Sequence, residues 1–380
     1  MNARQRVTMA LDHQEPDRVP MDLGGTAVST LRIEAFEPFM TFLGLPTPEP
    51  TLVSTTFRTV EVPETARQRL GVDFLGLRPH MIDGWQNTVH SPDAFTDEWG
   101  ISYSRPDGSI GAFFPVRHPL AGADLEAIRS YVLPHMGDLS RVSGLGQLAE
   151  RLYNSTDYAL IADGMWPLLQ RAYDLRGMDT FLMDMATDET LARNLLDRIT
   201  EAILLNISIF LQAVGPYCNV VTIADDLGVQ NGPVMSAGMY RRCLKPYHQA
   251  LIAEIHRHTN AKIFLHCDGS IVKLLPDIID AGFDIINPVQ ASARGMDTAF
   301  LKREFGAQLS FWGGVDTQHV MPYGSTADVA DEVARRIDDL APGGGFILGA
   351  VHNIQGDVPP ANVLALFEAG CYCGRYHTVS

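Results

Sequence analysis

Little in this chain marks a secreted, membrane-embedded or nucleic-acid-binding protein. Its 380 residues hold five cysteines, Cys218, Cys243, Cys267, Cys371 and Cys373. The odd count and loose spacing exclude a disulfide framework. Positive charge is scarce: 29 Lys and Arg stand against 45 Asp and Glu, for a net charge of -16. Without a Lys/Arg cluster there is nothing to collect phosphates or anionic lipid. The most apolar helical run, AILLNISIFLQAVG, is about 14 residues long, short of the roughly 20 that span a bilayer. The opening stretch MNARQRVTMALDHQEPDRVP has no apolar core of the secretory type. These absences predict a soluble, cytoplasmic protein with neither nucleic acid nor membrane as partner. No G-x-x-x-x-G-K-[ST] occurs, and no Ser or Cys sits in a nucleophile elbow.

What is present is a compact composition, 46% hydrophobic and 19% charged, which supports a large core. No repeat and no low-complexity segment appears, so residues 1–380 are read as one domain. From residue 158 onward, short β-rich runs alternate with helical patterns. The runs cover 158–164, 219–226, 261–269, 283–290, 308–316 and 345–353. Apolar residues recur at three- and four-residue spacing between them. Two earlier runs, 17–25 and 72–79, bring the series to the eight strands of a (β/α)8 TIM barrel. The alternative is an open doubly wound sheet, which gives no reason for eight units. Residues 80–118, rich in aromatics, Gly and Pro, break the rhythm. They read as an inserted β-hairpin or meander, and the residues before the first strand as an N-terminal extension. Ser236 and Ser325 are placed as helix N-caps, the latter with Asp328 in a capping box.

In such a barrel the strand C-termini converge on one mouth. The run ends supply Gly24, Asp163, Asp225, Asp226, His266, Asp268, Asn287, Gln290, Asp316, His352 and Asn353. His266 and Asp268 alternate on an extended chain and face one side, with Cys267 facing the other. Together with His352 they make an N/O/N set with an open position, as in a catalytic zinc site. Alternatively, the two histidines line an organic pocket as hydrogen-bonded polar groups. Of the adjacent pair Asp225 and Asp226, one side chain enters the mouth as base or proton relay and the other caps the next segment. Gly24, Asp163, Asp225, Asn287, Gln290, Asp316 and Asn353 are the candidate substrate-binding residues, and Asp226, His266 and His352 the catalytic ones. The C-x-C of Cys371 and Cys373 reads as two thiols on a C-terminal helix.

Across nearly its whole length the chain resembles the uroporphyrinogen decarboxylase superfamily, and in particular its corrinoid-dependent methyltransferase branch. The resemblance lies in RVTMALDHQEPDRVPMDLGG, IADDLGVQNGPVMSAGMYRRCLKPYHQ, FLHCDGSIVKLLPDIIDAGFDIINPVQ, LSFWGGVDTQHVMPYG and PGGGFILGAVHNIQGDVPPANVLALFEAG. It implies a (β/α)8 barrel. The founding decarboxylase holds carboxylates through an RQAGR-type segment. This chain has LGGTAVSTLRIEAF there, with Arg32 as the basic residue. Thiol-using methyltransferases of the branch bind zinc through H-x-C and a later Cys. Here His266 matches the histidine, Asp268 stands in the place of the cysteine, and His352 falls where the later cysteine is expected. The implied site is a harder zinc centre of His266, Asp268 and His352. The implied activity moves a methyl group from a small O- or N-methylated substrate to a corrinoid. A separate protein carries that corrinoid, since no D-x-H-x-x-G-type module is present. The resemblance also implies a homodimer. The competing reading is a cofactor-independent decarboxylase or lyase with Asp and His as acid–base groups; a non-catalytic binding protein is a third.

Overall fold

The computed structural model describes residues 1–106 and 111–376. Seven strands form one parallel sheet: β1 (Phe74–Leu77), β2 (Ala159–Ala162), β3 (Val220–Ala224), β4 (Lys262–His266), β5 (Ile285–Asn287), β6 (Ser310–Val315) and β7 (Phe346–Ala350). They lie side by side in chain order, and every neighbouring pair is parallel. The run expected over 17–25 is not assigned a strand, because its pairing is too short. Its main chain nevertheless bonds both edges of the sheet. Leu348 N–H donates to the Pro20 carbonyl and Asp22 N–H to the Leu348 carbonyl, both at 2.9 Å, while Asp73 N–H donates to the Met21 carbonyl at 2.9 Å. The sheet is therefore curled, as in a TIM barrel.

Period-two burial explains the curl. Phe74, Ala159, Ile161, Val220, Phe264, Ile285, Trp312 and Ile347 face inward and form one cluster with Val7, Ala10 and Leu11 of helix α1 (Ala3–Leu11). Trp312 fills its centre, 4.5 Å from the Phe74 ring and 5.2 Å from Phe264. Their sequence neighbours Leu160, Val221, Ile263, Leu265, Ile286, Phe311 and Leu348 point outward into the helix layer. The first helix thus closes the end of the sheet opposite the strand C-termini.

In the helix layer, Glu189–Val214 runs unbroken for 26 residues. Extended to Tyr217, it is long and apolar enough to match a membrane span, but 56% of the matching window is buried inside the protein. Its apolar face packs on Leu145–Ser155, Met178–Thr187 and Lys245–His256. Ser236 caps its helix by accepting from Met239 N–H, and Ser325 and Asp328 form the reciprocal box. Where the sequence predicts a hairpin or meander near 80–118, the chain builds four consecutive antiparallel strands over 88–117. Residues 107–110 of that region lie outside the described residues. Phe95, Tyr103 and Phe113 pack this sheet, with ring centroids 5.2 and 5.0 Å apart. A further small sheet joins Leu31–Arg32, Thr59–Val60 and Leu52–Ser54. Its first strand bridges Ile354, just beyond β7.

One carboxylate ties the segment 18–21 to β1. Asp73 is 1% exposed and accepts from Arg6 Nη1 at 2.6 Å, Arg18 Nη1 at 2.8 Å and Met21 N–H at 2.8 Å. Removing it takes the carboxylate partner from Arg18, one of two carboxylate partners from Arg6, and frees the segment that bonds both sheet edges. Asp73→Ala should lower the unfolding free energy by about 3–5 kcal/mol, read from urea denaturation. A loss below about 1 kcal/mol would show that Asp73 does not hold the edges together.

Candidate metal centre at the strand C-termini

Parallel register sets three side chains at one end of the sheet. Ala224 pairs with His266, and His266 with Asn287. His266 ends β4, and its Nδ1 bonds Asn287 Oδ1 at 2.7 Å. The Asn287 amide is oriented by its own Nδ2 donating to the Trp312 carbonyl at 3.4 Å. Asn287 therefore accepts, His266 carries its proton on Nδ1, and the Nε2 lone pair faces outward. Asp268 Oδ2 lies 3.8 Å from that Nε2. The Asp268 main-chain N–H donates to Asp226 Oδ1 at 2.9 Å.

His352 follows β7. Its ring centroid is 5.5 Å from that of His266, and the Phe57 ring stands edge-on at 6.2 Å. The chain beyond it is pinned by Thr30 N–H donating to Asn353 Oδ1 at 2.9 Å and by Ile354 N–H to the Thr30 carbonyl at 2.9 Å. Burial, then the His266 ring, pull the His352 pKa down to about 3; Asp226 opposes and Arg32 reinforces the shift. The imidazole stays neutral, the form that ligates a metal. Ligand atoms of His266, Asp268 and His352 all lie within 4.8 Å of one another.

This donor set fits zinc. It offers two neutral imidazoles and one carboxylate, and His266 is aimed by an outer hydrogen bond. Bonds of about 2.0–2.2 Å require the three side chains to close slightly. Cys267 does not compete. It is buried, and its Sγ accepts from Leu227 N–H at 3.1 Å, on the far side of the chain. Cys371 and Cys373 are free thiols on the helix Pro360–Cys373.

Most of the expected substrate-binding residues already have partners within the fold. Asp225 Oδ1 accepts the N–H groups of Leu168, Leu169 and Gln170 at 3.0, 2.7 and 3.1 Å, and its Oδ2 bonds His248 Nε2 at 2.9 Å. It caps the helix Leu169–Arg176 and has no capacity left for a ligand. Asp163 takes Arg78 Nε at 2.7 Å, Ala27 N–H at 2.9 Å and Thr222 Oγ1 at 3.0 Å. Asn287 orients His266. Gln290 accepts from Gly269 N–H at 2.8 Å and donates to Gln230 at 3.0 Å. Asp316 receives Gln318 and His319 N–H at 2.7 and 2.6 Å, ahead of the turn Val320–Tyr323. Gly24 serves through its backbone: its φ is +87°, an added Cβ would lie 2.8 Å from Val62 Cγ2, and its carbonyl accepts from Arg78 Nη2 at 3.3 Å. Asn353 keeps a buried Nδ2 without a partner. Asp226 positions Asp268 and is not one of the three converging ligands.

Three further residues show their environment only in three dimensions. Arg32 has Nε and Nη1 buried without a partner, and its charge reaches His352. Tyr173 buries an unpartnered hydroxyl. Asp22 is buried beneath the mouth, accepting from Gly25 N–H at 2.9 Å and Trp312 Nε1 at 3.1 Å. Nothing in their sequence spacing distinguishes them.

A curled parallel sheet with polar groups converging at its strand C-termini defines a TIM-barrel-like α/β protein with an enzyme-type site. The chain belongs to the uroporphyrinogen decarboxylase (URO-D) family, whose model matches residues 116–370. Among solved structures it is similar to a methyltransferase from Methanosarcina mazei. That match has 19% identity and a TM-score of 0.64, and covers 98% of this chain and 99% of the other. At this identity the likeness establishes the fold alone. A GH113 β-1,4-mannanase matches with 10% identity and a TM-score of 0.41, over 93% of this chain and 99% of the other, too distant to carry an argument. No curated protein sequence matches.

Burial, reinforced by Asp163, raises the Asp22 pKa from 3.8 to about 6. A carboxyl that holds its proton more tightly when folded contributes stability fully present below pH 3.8, and this is lost as pH rises through about 6. Asp22→Asn cannot ionise. Its stability relative to the unsubstituted protein should therefore climb between pH 4 and pH 7, measured by urea midpoints at each unit. A difference that stays flat across that window would place Asp22 in a solvated or fully compensated site.

Proposed function

We propose that this chain is a methyltransferase that takes a methyl group from a small O- or N-methylated donor and delivers it to a corrinoid on a partner protein. One observation carries the reading: His266, Asp268 and His352 bring three metal-type ligand atoms within 4.8 Å at the strand C-termini. Zinc held there would act as a Lewis acid on the donor's heteroatom. A set with oxygen in place of sulfur is harder, which suits an ether or amine rather than a thiol. The chain's own groups do the rest. Asn287 fixes the tautomer of His266, Asp226 holds the Asp268 main chain, and burial keeps His352 neutral. Phe57 stands edge-on to the His352 ring. Asp226 is the carboxylate placed to move a proton beside the site. On this reading the sheet, with segment 20–22 as its eighth member, is a (β/α)8 barrel carrying the 88–117 insertion, and the enzyme works in the cytoplasm.

A second reading, a metal-independent decarboxylase or lyase, draws on Arg32. A half-buried guanidinium whose Nε and Nη1 have no partner suits a substrate carboxylate.

The two readings separate by metal content and product. The zinc-loaded protein, supplied with a reduced corrinoid protein and a panel of methoxy and N-methyl compounds, should yield a demethylated product by mass spectrometry. Asp268→Ala and His352→Ala should lose zinc and transfer together. Asn287→Ala should weaken zinc by about 10–100-fold. Cys267→Ser should keep both. Full turnover in metal-free protein would remove the zinc reading.

A further inference from the structure

Beside the metal centre lies a cavity of about 490 Å³ that the site residues do not account for. Helix Leu169–Arg176, the loop after β3 and the end of the 88–117 sheet enclose it. Asp226 forms the shared wall. It lines the cavity, and its Oδ1 holds the Asp268 N–H at 2.9 Å. Three carboxylates, Asp174, Asp179 and Asp226, face this space, and among the described residues neither Lys nor Arg lines it.

Carboxylates alone do not make a site; the second observation is Tyr173. Its side chain lines the same cavity and is 4% exposed, and its hydroxyl is buried with no hydrogen-bond partner. Buried polar groups left unpaired are rare. The ring is seated against Phe181 with centroids 6.1 Å apart. Burial, then Asp225 and Asp226, push the Tyr173 pKa well up, so the hydroxyl stays neutral. His118 adds an acceptor: its Nδ1 donates to the Asp174 carbonyl at 2.8 Å, which leaves Nε2 with a lone pair. Asp174 itself is engaged, by Gln170 Nε2 at 2.8 Å and the Tyr103 hydroxyl at 3.4 Å. Asp226 keeps its second oxygen. The unfilled groups are therefore a carboxylate oxygen, a neutral phenol and an imidazole acceptor. Each can accept an N–H, and the carboxylates of Asp174, Asp179 and Asp226 disfavour an anion. Met178 and Val234 supply an apolar wall for a short alkyl or ring body.

We propose that this cavity binds a protonated primary or secondary amine carried by the methyl donor, its N–H groups shared between Tyr173, Asp226 and His118. The identification of the ligand as the donor rests on the methyl-transfer reading; the amine binding does not. A donor held in this way extends past Asp226 toward His266 and His352, which places its methyl-bearing end at the metal centre.

The test is direct binding by the full chain, without zinc or corrinoid, followed by protein NMR shifts and calorimetry. The probes are propylammonium, propan-1-ol and propionate. Propylammonium should bind at least tenfold more tightly than propan-1-ol, and propionate should not bind. Tyr173→Phe, with its fold checked by circular dichroism, should weaken propylammonium several-fold. If that variant does not fold, Asp179→Asn at the cavity rim should weaken it instead. Equal binding of alcohol and ammonium, or an affinity unmoved in the folded variant, overturns the proposal. Amine binding without methyl transfer would sink the methyl-donor reading alone. Efficient transfer from amine-free donors, with no propylammonium binding, would sink the amine pocket alone.

Discussion

A carboxylate buried at a strand terminus must find hydrogen-bond donors, and the mouth of this fold is organised around that requirement. Asp225, Asp163 and Asp22 are each 3% exposed or less. Each recruits backbone N–H groups from a neighbouring loop or helix. Asp225 gathers the first turn of Leu169–Arg176, Asp163 gathers the Ala27 N–H beside the Arg78 guanidinium, and Asp22 gathers Gly25. Unpaired, such groups would destabilise the fold by several kcal/mol each. Paired, they hold the loops over the strand ends at fixed positions. The acidic mouth is thus first a structural device.

What remains available for chemistry is the residue of that process. His266 turns one nitrogen to Asn287 and presents the other. Asp268 is held by its main chain, which leaves its carboxylate partly exposed. His352 is driven toward the neutral form by burial and by the neighbouring His266 ring. The three come from two strand ends that are distant in sequence, and a parallel sheet brings such ends to one side without further cost. Tyr173 and Arg32 extend the list of unsatisfied groups on either flank, and they give the site two chemically different margins.

Much of the fold was legible in the sequence. The six runs from residue 158 onward, and the run at 72–79, all became parallel strands, because period-two alternation and β-branched content survive in isolation. The segment at 17–25 was less legible. It makes only a few ladder bonds, and it is held by Asp73 and its neighbours on both edges rather than by its own propensity. The width of the 88–117 sheet was also hidden, since short strands separated by Gly and Pro look alike whether there are two or four.

Sequence by itself determined the strand–helix alternation, the family, and which polar residue types would stand at the strand ends. It also placed Cys267 on the far face, since alternation along an extended chain is a local rule. Only the tertiary structure decided which of those polar groups are engaged and which are free. Asp163, Asp225, Asn287, Gln290 and Asp316 look like binding residues in a list of strand ends. The first four satisfy donors or acceptors from elements distant in the chain, and Asp316 caps the turn that follows it. Conversely, the unpartnered hydroxyl of Tyr173 has no local signature, and neither has the lack of a partner for Nε and Nη1 of Arg32. Whether a polar group has a partner depends on what packs around it, and that is set by the folded chain as a whole.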